Sequence, residues 1–118
     1  MDDPLYEELT AKLYNVEKIY AIAERQNSLM KAARFSEAAA LEPEKSGLME
    51  SVSRMDNSMK PFIIKNKKYS SEVQATVQKI NNLFNILIKI EKENADMASN
   101  RELLESGRHV AEYKRNSK

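Results

Sequence analysis

The sequence contains no cysteine and only two glycines and three prolines among its 118 residues. Without cysteine there can be no disulfides, thiolate metal sites or cysteine nucleophiles. So few turn-forming residues argue against hairpin-rich β folds and Rossmann folds. No apolar run is long enough to span a bilayer, and the acidic start, Met1-Asp2-Asp3-Pro4, lacks the apolar core of a signal peptide. We therefore expect a cytoplasmic protein that does not insert into membranes.

The composition favours helices. Apolar residues make up 42% of the chain and charged residues 31%, more than the ~25% of an average globular protein. The 19 basic and 18 acidic side chains give a net charge of +1, which produces no global field that selects nucleic acid or anionic lipid. Length and composition together predict one elongated all-α domain over residues 1–118.

A heptad pattern predicts the first helix over about residues 3 to 33. Asn27 is the polar exception in this pattern. We interpret it as a residue that fixes the register of packed helices or lies at an exposed end of the bundle, with a functional polar contact as the alternative. Residues three and four positions apart form the seam: Leu9, Leu13, Val16, Tyr20, Ala23, Asn27 and Met30.

The same spacing resumes from Leu41 and predicts a second helix over about residues 37 to 59. Pro43 lies inside this range, and a proline costs ~3 kcal/mol in a helix interior, so the regular part could start only at Glu42 or Pro43. Gly47 indicates either a close backbone approach or a tolerated weakness. The seam residues are Leu41, Lys45, Leu48, Val52, Met55 and Met59.

A third helix is expected over about residues 70 to 112, after a loop or frayed turn that follows Pro61. Ser70 and Ser71 offer an N-terminal cap. The three long helices predict an elongated antiparallel bundle. The third seam reads Val73, Thr76 or Val77, Ile80, Leu83, Leu87, Ile90 and Asn94.

No constellation of side chains indicates catalysis. The sequence has no Gly-rich phosphate loop and no zinc-ligand spacing, and we interpret His109 as a solvated surface residue. Its carboxylate pairs are typical of any solvated helix face. We therefore predict no enzymatic activity, no cofactor and no metal site.

Two sets of residues have both a structural and a partner-binding interpretation. The methionines of the second helix serve as flexible core filler or form an adaptable groove that receives another helix. The lysines that follow this helix belong to a solvated connector or dock an acidic partner or nucleic acid. The two sets are Met49, Met55 and Met59, and Lys60, Lys65, Lys67 and Lys68.

Three segments carry a resemblance to a known family. They are Glu24-Arg25-Gln26-Asn27-Ser28-Leu29, the stretch from Leu41 to Met49, and Asn-Ala-Asp-Met-Ala-Ser-Asn-Arg-Glu-Leu-Leu from Asn94 to Leu104. With these helical patterns the chain resembles, over most of its length, the FlgN-type flagellar export chaperones. These are small helical cytosolic proteins that escort hook-associated junction proteins.

The resemblance implies antiparallel long helices, no enzymatic activity, and recognition of an amphipathic C-terminal helix on the client protein. It implies that this recognition prevents premature assembly of the client, precedes presentation to the export apparatus, and uses largely the C-terminal half of the chaperone. The client-binding residues that it implies are Asn100, Leu103, Leu104 and Val110, with Ile86, Ile90 and Met97 as the adjoining apolar floor.

Two other functions stay open at this point. The seams could instead close in a homodimer or a larger coiled-coil assembly, which would make the chain a structural or regulatory module. Nucleic-acid binding through the lysine clusters is a third possibility and predicts a steep salt dependence. The leading interpretation is a protein-binding chaperone that contacts no nucleic acid and is able to form homo-oligomers.

Overall fold

Helices make up nearly all of the described chain. A computed structural model describes residues 4–63 and 68–116, with side chains up to residue 101. The described residues form four α-helices, α1 (Pro4–Lys31), α2 (Phe35–Ala40), α3 (Glu42–Met59) and α4 (Ser71–Asn116), with a 3₁₀ turn at Lys60–Phe62. No strand occurs among them, which confirms the predicted all-α class.

The three long helices run up, down and up. Gln26 near the end of α1 contacts Lys45 near the start of α3, whereas Asn27 contacts Asn94 far along α4. Helix α3 is therefore antiparallel to both α1 and α4. The radius of gyration is 20.3 Å, against about 13 Å for a compact domain of this length. The elongated bundle expected from the sequence is thus confirmed.

Helix α1 is the central element, because α3 and α4 both pack against it and make few close backbone contacts with each other. Its buried face includes Val16, Ile19 and Ala23. The predicted seam of this helix is wrong by one position in part of its length. It has Tyr20, Asn27 and Met30 where the structure buries Ile19, Gln26 and Leu29. A helix that contacts two neighbours buries a wider stripe than a strict heptad seam.

The single helix predicted over residues 37 to 59 is wrong, because a turn at Leu41 divides it into α2 and α3. Pro43 is the physical reason. It lacks an amide hydrogen and is tolerated only in the first turn of a helix, where that amide would be unpaired. Helix α3 begins at Glu42 and has Pro43 in its first turn, as the alternative start anticipated.

Helix α1 ends in a tight reversal at Ala33, whose φ of 62° is left-handed. The amide of Arg34 donates to the carbonyl of Leu29 at 2.8 Å, and the amide of Ala33 donates to that of Met30 at 2.9 Å. This is the Schellman arrangement, in which glycine is the usual left-handed residue. The left-handed conformation costs alanine about 1 kcal/mol.

The connection from α3 to α4 has only its ends described. The 3₁₀ turn occupies the start of the predicted loop, and Ile63 is extended. Residues 64–67 lie outside the described part. At the start of α4 the amide of Val73 donates to the hydroxyl of Ser70 at 3.2 Å, so Ser70 is the N-cap. Helix α4 continues to Asn116, four residues beyond the expected end.

Two apolar clusters hold the three long helices together. The lower cluster lies between the beginnings of α1 and α4 and the end of α3, and the upper cluster lies nearer the middle of the bundle. Gly47 is exposed, and a Cβ at this position would meet no nearby atom. No close backbone approach therefore requires the glycine, and α3 tolerates its low helix propensity. The lower cluster contains Leu5, Leu9, Met59, Val73 and Ile80; the upper contains Val16, Ile19, Ala23, Val52 and Leu87.

Candidate client-binding surfaces

Helix α4 carries all the residues that the family resemblance implies for client binding. Ile86 is 46% exposed, Asn100 is exposed, and Ile90 and Met97 are half-buried. Because a helix turns about 100° per residue, these four fall within one sector of about 80°. We call this set, Ile86, Ile90, Met97 and Asn100, the α4 strip. Leu103, Leu104 and Val110 belong to the same helix, and their side chains lie outside the described part.

A carboxylate lies in the same sector as the α4 strip. Glu93 forms an ion pair with Lys31 of α1, with 3.1 Å between the nitrogen and the oxygen. The hydrogen bond from Lys31 lowers the pKa of Glu93 below its ordinary value, and a hydrogen bond from Asn27 acts in the same direction. Glu93 therefore remains ionised to a lower pH than an ordinary glutamate, beside the apolar residues of the strip.

A second apolar edge of α4 faces α3 and lies outside the residues that the family resemblance implies for client binding. Ile88 is 63% exposed there, and Val77 and Phe84 share its side of the helix. A cavity of about 230 Å³ opens between the two helices, with Ile19 of α1 as its floor and Met49 and Val52 as its α3 wall. The signal in the sequence was the dense apolar run from Leu83 to Ile90, which is too continuous to lie on one helix face.

The methionines of α3 occupy three different environments. Met59 is buried in the lower cluster, Met55 is half-buried beside it, and Met49 is 40% exposed at the mouth of the cavity between α3 and α4. Met59 and Met55 thus act as core residues. Met49 is the member placed to contact a partner, so an adaptable groove formed by all three is not what the structure shows.

A buried lysine joins the long helices above the upper cluster. Lys45 is 3% exposed, and its ammonium donates to both carboxylate oxygens of Glu91, at 2.9 Å each, and to the side-chain oxygen of Gln26 at 2.8 Å. Gln26 in turn donates to the carbonyl of Ala38 at 3.0 Å and to Glu42 at 2.8 Å. We call Gln26, Glu42, Lys45 and Glu91 the polar cluster. It connects α1, α2, α3 and α4.

The polar cluster accounts for a seam position that the sequence left unexplained. Lys45 follows the apolar spacing of the second seam, and a lysine there requires partners, because an unpaired buried ammonium is strongly unfavourable. Glu42, three residues earlier, is a local partner at 3.2 Å, but Gln26 and Glu91 lie 19 and 46 residues away, where no local pattern reveals them. The hydrogen bond from Gln26, with Lys45 as a further cause, lowers the pKa of Glu42.

Two asparagines form a separate polar contact across α1 and α4. Asn27 donates to the side-chain oxygen of Asn94 at 3.0 Å, and the buried Asn94 donates to the carbonyl of Ala23 at 3.1 Å. Such a pair satisfies its hydrogen bonds in one alignment of the two helices, and sliding either helix by a turn would leave it unpaired. The structure therefore supports the interpretation of Asn27 as a residue that fixes register.

Neither a metal site nor a membrane helix is found in the described ranges. No group of three or more His, Asp and Glu side chains converges there in the way that a metal ion requires. Within the same ranges no helix has the length and apolar character needed to cross a bilayer. Comparisons with protein-family models, with curated proteins and with solved structures find no match to this chain.

Proposed function

We propose that the chain is a non-enzymatic, cytosolic export chaperone of the FlgN type. It binds the amphipathic C-terminal helix of a hook-associated junction protein, prevents its premature assembly and presents it to the flagellar export apparatus. The residues that resemble the family motivate this proposal. The structural observation that supports it is the α4 strip, in which the half-exposed Ile86 shares one helix face with Ile90 and Met97.

The chemistry of the strip suits an apolar helix face. Ile86 and Ile90 are four residues apart and Met97 follows seven residues later, so the three lie on one helix face as a sparse apolar stripe. Glu93 in the same sector is paired with Lys31, so its charge is partly compensated where the client would lie. An amphipathic helix could therefore cover the strip with its apolar side and keep its polar side in water.

The size of the strip limits the affinity that it can provide. Ile90 and Met97 are already half-buried, so covering them and Ile86 contributes less than the ~1.5–3 kcal/mol of a full transfer for each side chain. Association itself opposes binding by at least about 4 kcal/mol. The strip alone would therefore bind weakly. We propose that the client helix also engages the positions beyond it, Leu103, Leu104 and Val110.

Size exclusion with light scattering tests the proposal, with the chain alone and mixed with C-terminal fragments of junction proteins from the same genome. We expect a stoichiometric complex with one fragment, and Ile86→Lys should weaken it about tenfold or more, because it places a charge against the apolar face of the client. Ile88→Lys is the matched control, since it introduces the same charge on the other edge of α4. Equal effects of the two variants, or no complex with any fragment, would contradict the proposal.

A second variant tests the part of α4 beyond the strip. Substitution of Leu103 and Leu104 by alanine should weaken the complex and leave the thermal unfolding midpoint nearly unchanged. Equal losses of binding and stability would instead assign both leucines to the core of the protein.

A homodimerising structural module is the second candidate, and the exposed edge with Ile88, Val77 and Met49 favours it. Burial of this edge against a second copy would remove the most exposed isoleucine of α4 from water. The same variants separate the candidates. If the chain is a dimer that ignores every fragment and Ile88→Lys makes it monomeric, the module is correct and the chaperone is not.

A further inference from the structure

The lower end of the bundle contains an open apolar cavity that the proposed client surface does not use. Its volume is about 570 Å³, within the ~300–1,000 Å³ range of ligand pockets. Buried residues from three elements form its floor, and Ile63, Tyr69 and Val77 line it nearer the solvent. The floor comprises Leu5 and Leu9 of α1, Met59 of α3 and Val73 of α4.

Part of the cavity lining is apolar and solvent-exposed. Ile63 is 61% exposed and Val77 is 37% exposed. An apolar side chain that entered between them would remove both its own surface and theirs from water. Phe62 is also exposed, at 44%, but it does not line the cavity. Of these two adjacent exposed residues, only Ile63 therefore belongs to the cavity.

The charged residues that line the cavity, Lys12, Asp56 and Lys60, carry a net charge of +1. Lys12 and Asp56 both line it and neutralise each other in an ion pair of 2.6 Å. Lys60 also lines it, and Lys68 directly precedes the lining residue Tyr69; both lysines are exposed. Among the described residues neither has an acidic partner within ion-pair distance. A partner that placed carboxylates beside its apolar anchor would supply the missing negative charge.

We propose that this end cavity binds an acidic amphipathic segment of a partner protein, which inserts a large apolar side chain between Ile63 and Val77 and pairs its carboxylates with Lys60 and Lys68. A concave apolar cavity favours a protruding side chain over a flat anionic membrane, which would use Phe62 as readily as Ile63. Nucleic acid would supply the negative charge, but it has no aliphatic side chain to insert into the cavity.

The site is separate from the α4 strip. Val77, the lining residue of α4 nearest to the strip, lies nine residues before Ile86, which corresponds to about 14 Å along the helix and to its opposite side. The inference therefore does not rest on the proposed client binding, whereas a homodimer that buried the edge with Val77 would compete with the acidic segment for that residue.

A synthetic peptide tests the inference. The probe is a labelled amphipathic helix of about 14 residues, or about four turns, with leucines on one face and glutamates on the other. Fluorescence anisotropy with the full chain should show saturable binding that weakens as salt screens the charges. Ile63→Ser should weaken binding about tenfold, because it removes an apolar side chain that lines the cavity where the peptide inserts its anchor. Reversing both lysines, Lys60→Glu with Lys68→Glu, should weaken it about fivefold or more.

Three matched controls make the test specific. Phe62→Ser removes an adjacent exposed side chain that does not line the cavity and should have little effect. Lys89→Glu with Lys92→Glu makes the same change in net charge on exposed positions of α4 and should also have little effect. Ile86→Lys in the α4 strip should leave peptide binding unchanged, which separates this site from the client surface.

Several results would overturn the inference. One is a failure of the peptide to bind, and another is equal binding of a version with lysine in place of glutamate. If Phe62→Ser weakens binding as much as Ile63→Ser, and the chain sediments with vesicles of phosphatidylserine and phosphatidylcholine, the surface contacts membranes instead. If Ile86→Lys abolishes binding, the peptide occupies the α4 strip and the end cavity is not its site.

Discussion

The two levels of the bundle join the same three helices by opposite means. At the lower end Leu5, Met59 and Val73 meet in an apolar cluster, whereas further up Lys45 and Glu91 meet in the polar cluster. Apolar contact is non-directional and tolerates small shifts of one helix along another. A lysine that donates to three named oxygens fixes one alignment. The lower cluster thus mainly stabilises the packing of the helices, and the polar cluster mainly fixes their register and orientation.

Removal of the buried ammonium should have the largest effect on this arrangement. Lys45→Ala should lower the free energy of unfolding by about 3 kcal/mol, since it removes a buried alkyl chain and leaves the buried Gln26 and the partly exposed Glu91 without their shared partner. Urea unfolding followed by circular dichroism measures this loss. Lys89→Ala, on an exposed position of α4, should change stability by less than about 0.5 kcal/mol. A loss at Lys45 no larger than at Lys89 would show that the polar cluster does not hold the helices together.

The stability of the lower cluster should be sensitive to the removal of side-chain volume. Val73→Ala should lower the free energy of unfolding by about 2 kcal/mol, because it leaves a void among Leu5, Met59 and Ile80. Val77→Ala changes the same residue type one turn later, where the side chain is partly exposed, and should lose less than about 1 kcal/mol. The same urea titration compares the two. Equal losses would mean that the lower cluster is loosely packed.

Substitution of the asparagine pair, Asn27 and Asn94, should lower the free energy of unfolding less, and the effects of the two substitutions should not be additive. Asn94→Ala should lower the free energy of unfolding by about 1 kcal/mol, because it removes hydrogen bonds to Asn27 and Ala23. Asn27→Ala combined with Asn94→Ala should lose little more than Asn94→Ala alone, since the other hydrogen bond of Asn27, to the exposed Glu93, contributes little. A double-mutant cycle in urea measures the coupling. Additive losses would show that the contact between Asn27 and Asn94 does not contribute to stability.

The smallest expected effect is a dependence of stability on pH at the edge of the polar cluster. The folded protein lowers the pKa of Glu42, mainly through the hydrogen bond from Gln26, so the unfolded chain binds a proton more readily. Stability from this group is therefore present above the ordinary carboxyl pKa of about 4.3 and declines as the pH falls through the lower folded value. The side chain is half exposed, which limits the loss to less than about 1 kcal/mol.

Unfolding of the chain and of Glu42→Gln as a function of pH measures that contribution. The variant should have a shallower acid slope, whereas Glu44→Gln, another exposed position in the first turn of α3, should retain the original slope. Identical slopes for the chain and Glu42→Gln would show that Glu42 contributes no acid dependence.

Periodicity predicted the helices better than it predicted the surfaces. Repeats of three and four residues indicate a buried stripe, and they located all three long helices. The division at Leu41 depends on whether Pro43 interrupts a helix or begins one, and the sequence permits both. Two of the partners of Lys45, Gln26 and Glu91, lie on other helices, so its burial depends on tertiary packing. The end cavity combines residues from both ends of the connection after α3 with the start of α1, which no single seam brings together.

Helix α1 forms its register contacts with α4 at sequence separations of 67 and 71 residues. During synthesis, α1 and α3 emerge from the ribosome well before Asn94. Until then the hairpin that they form leaves the apolar side of Ile19 without its α4 neighbour Leu87. Native contacts of such long sequence separation slow folding, because a long stretch of chain must be closed before they form. A protein proposed to shield the apolar helices of others therefore completes the core around its own central helix only once α4 has been synthesised.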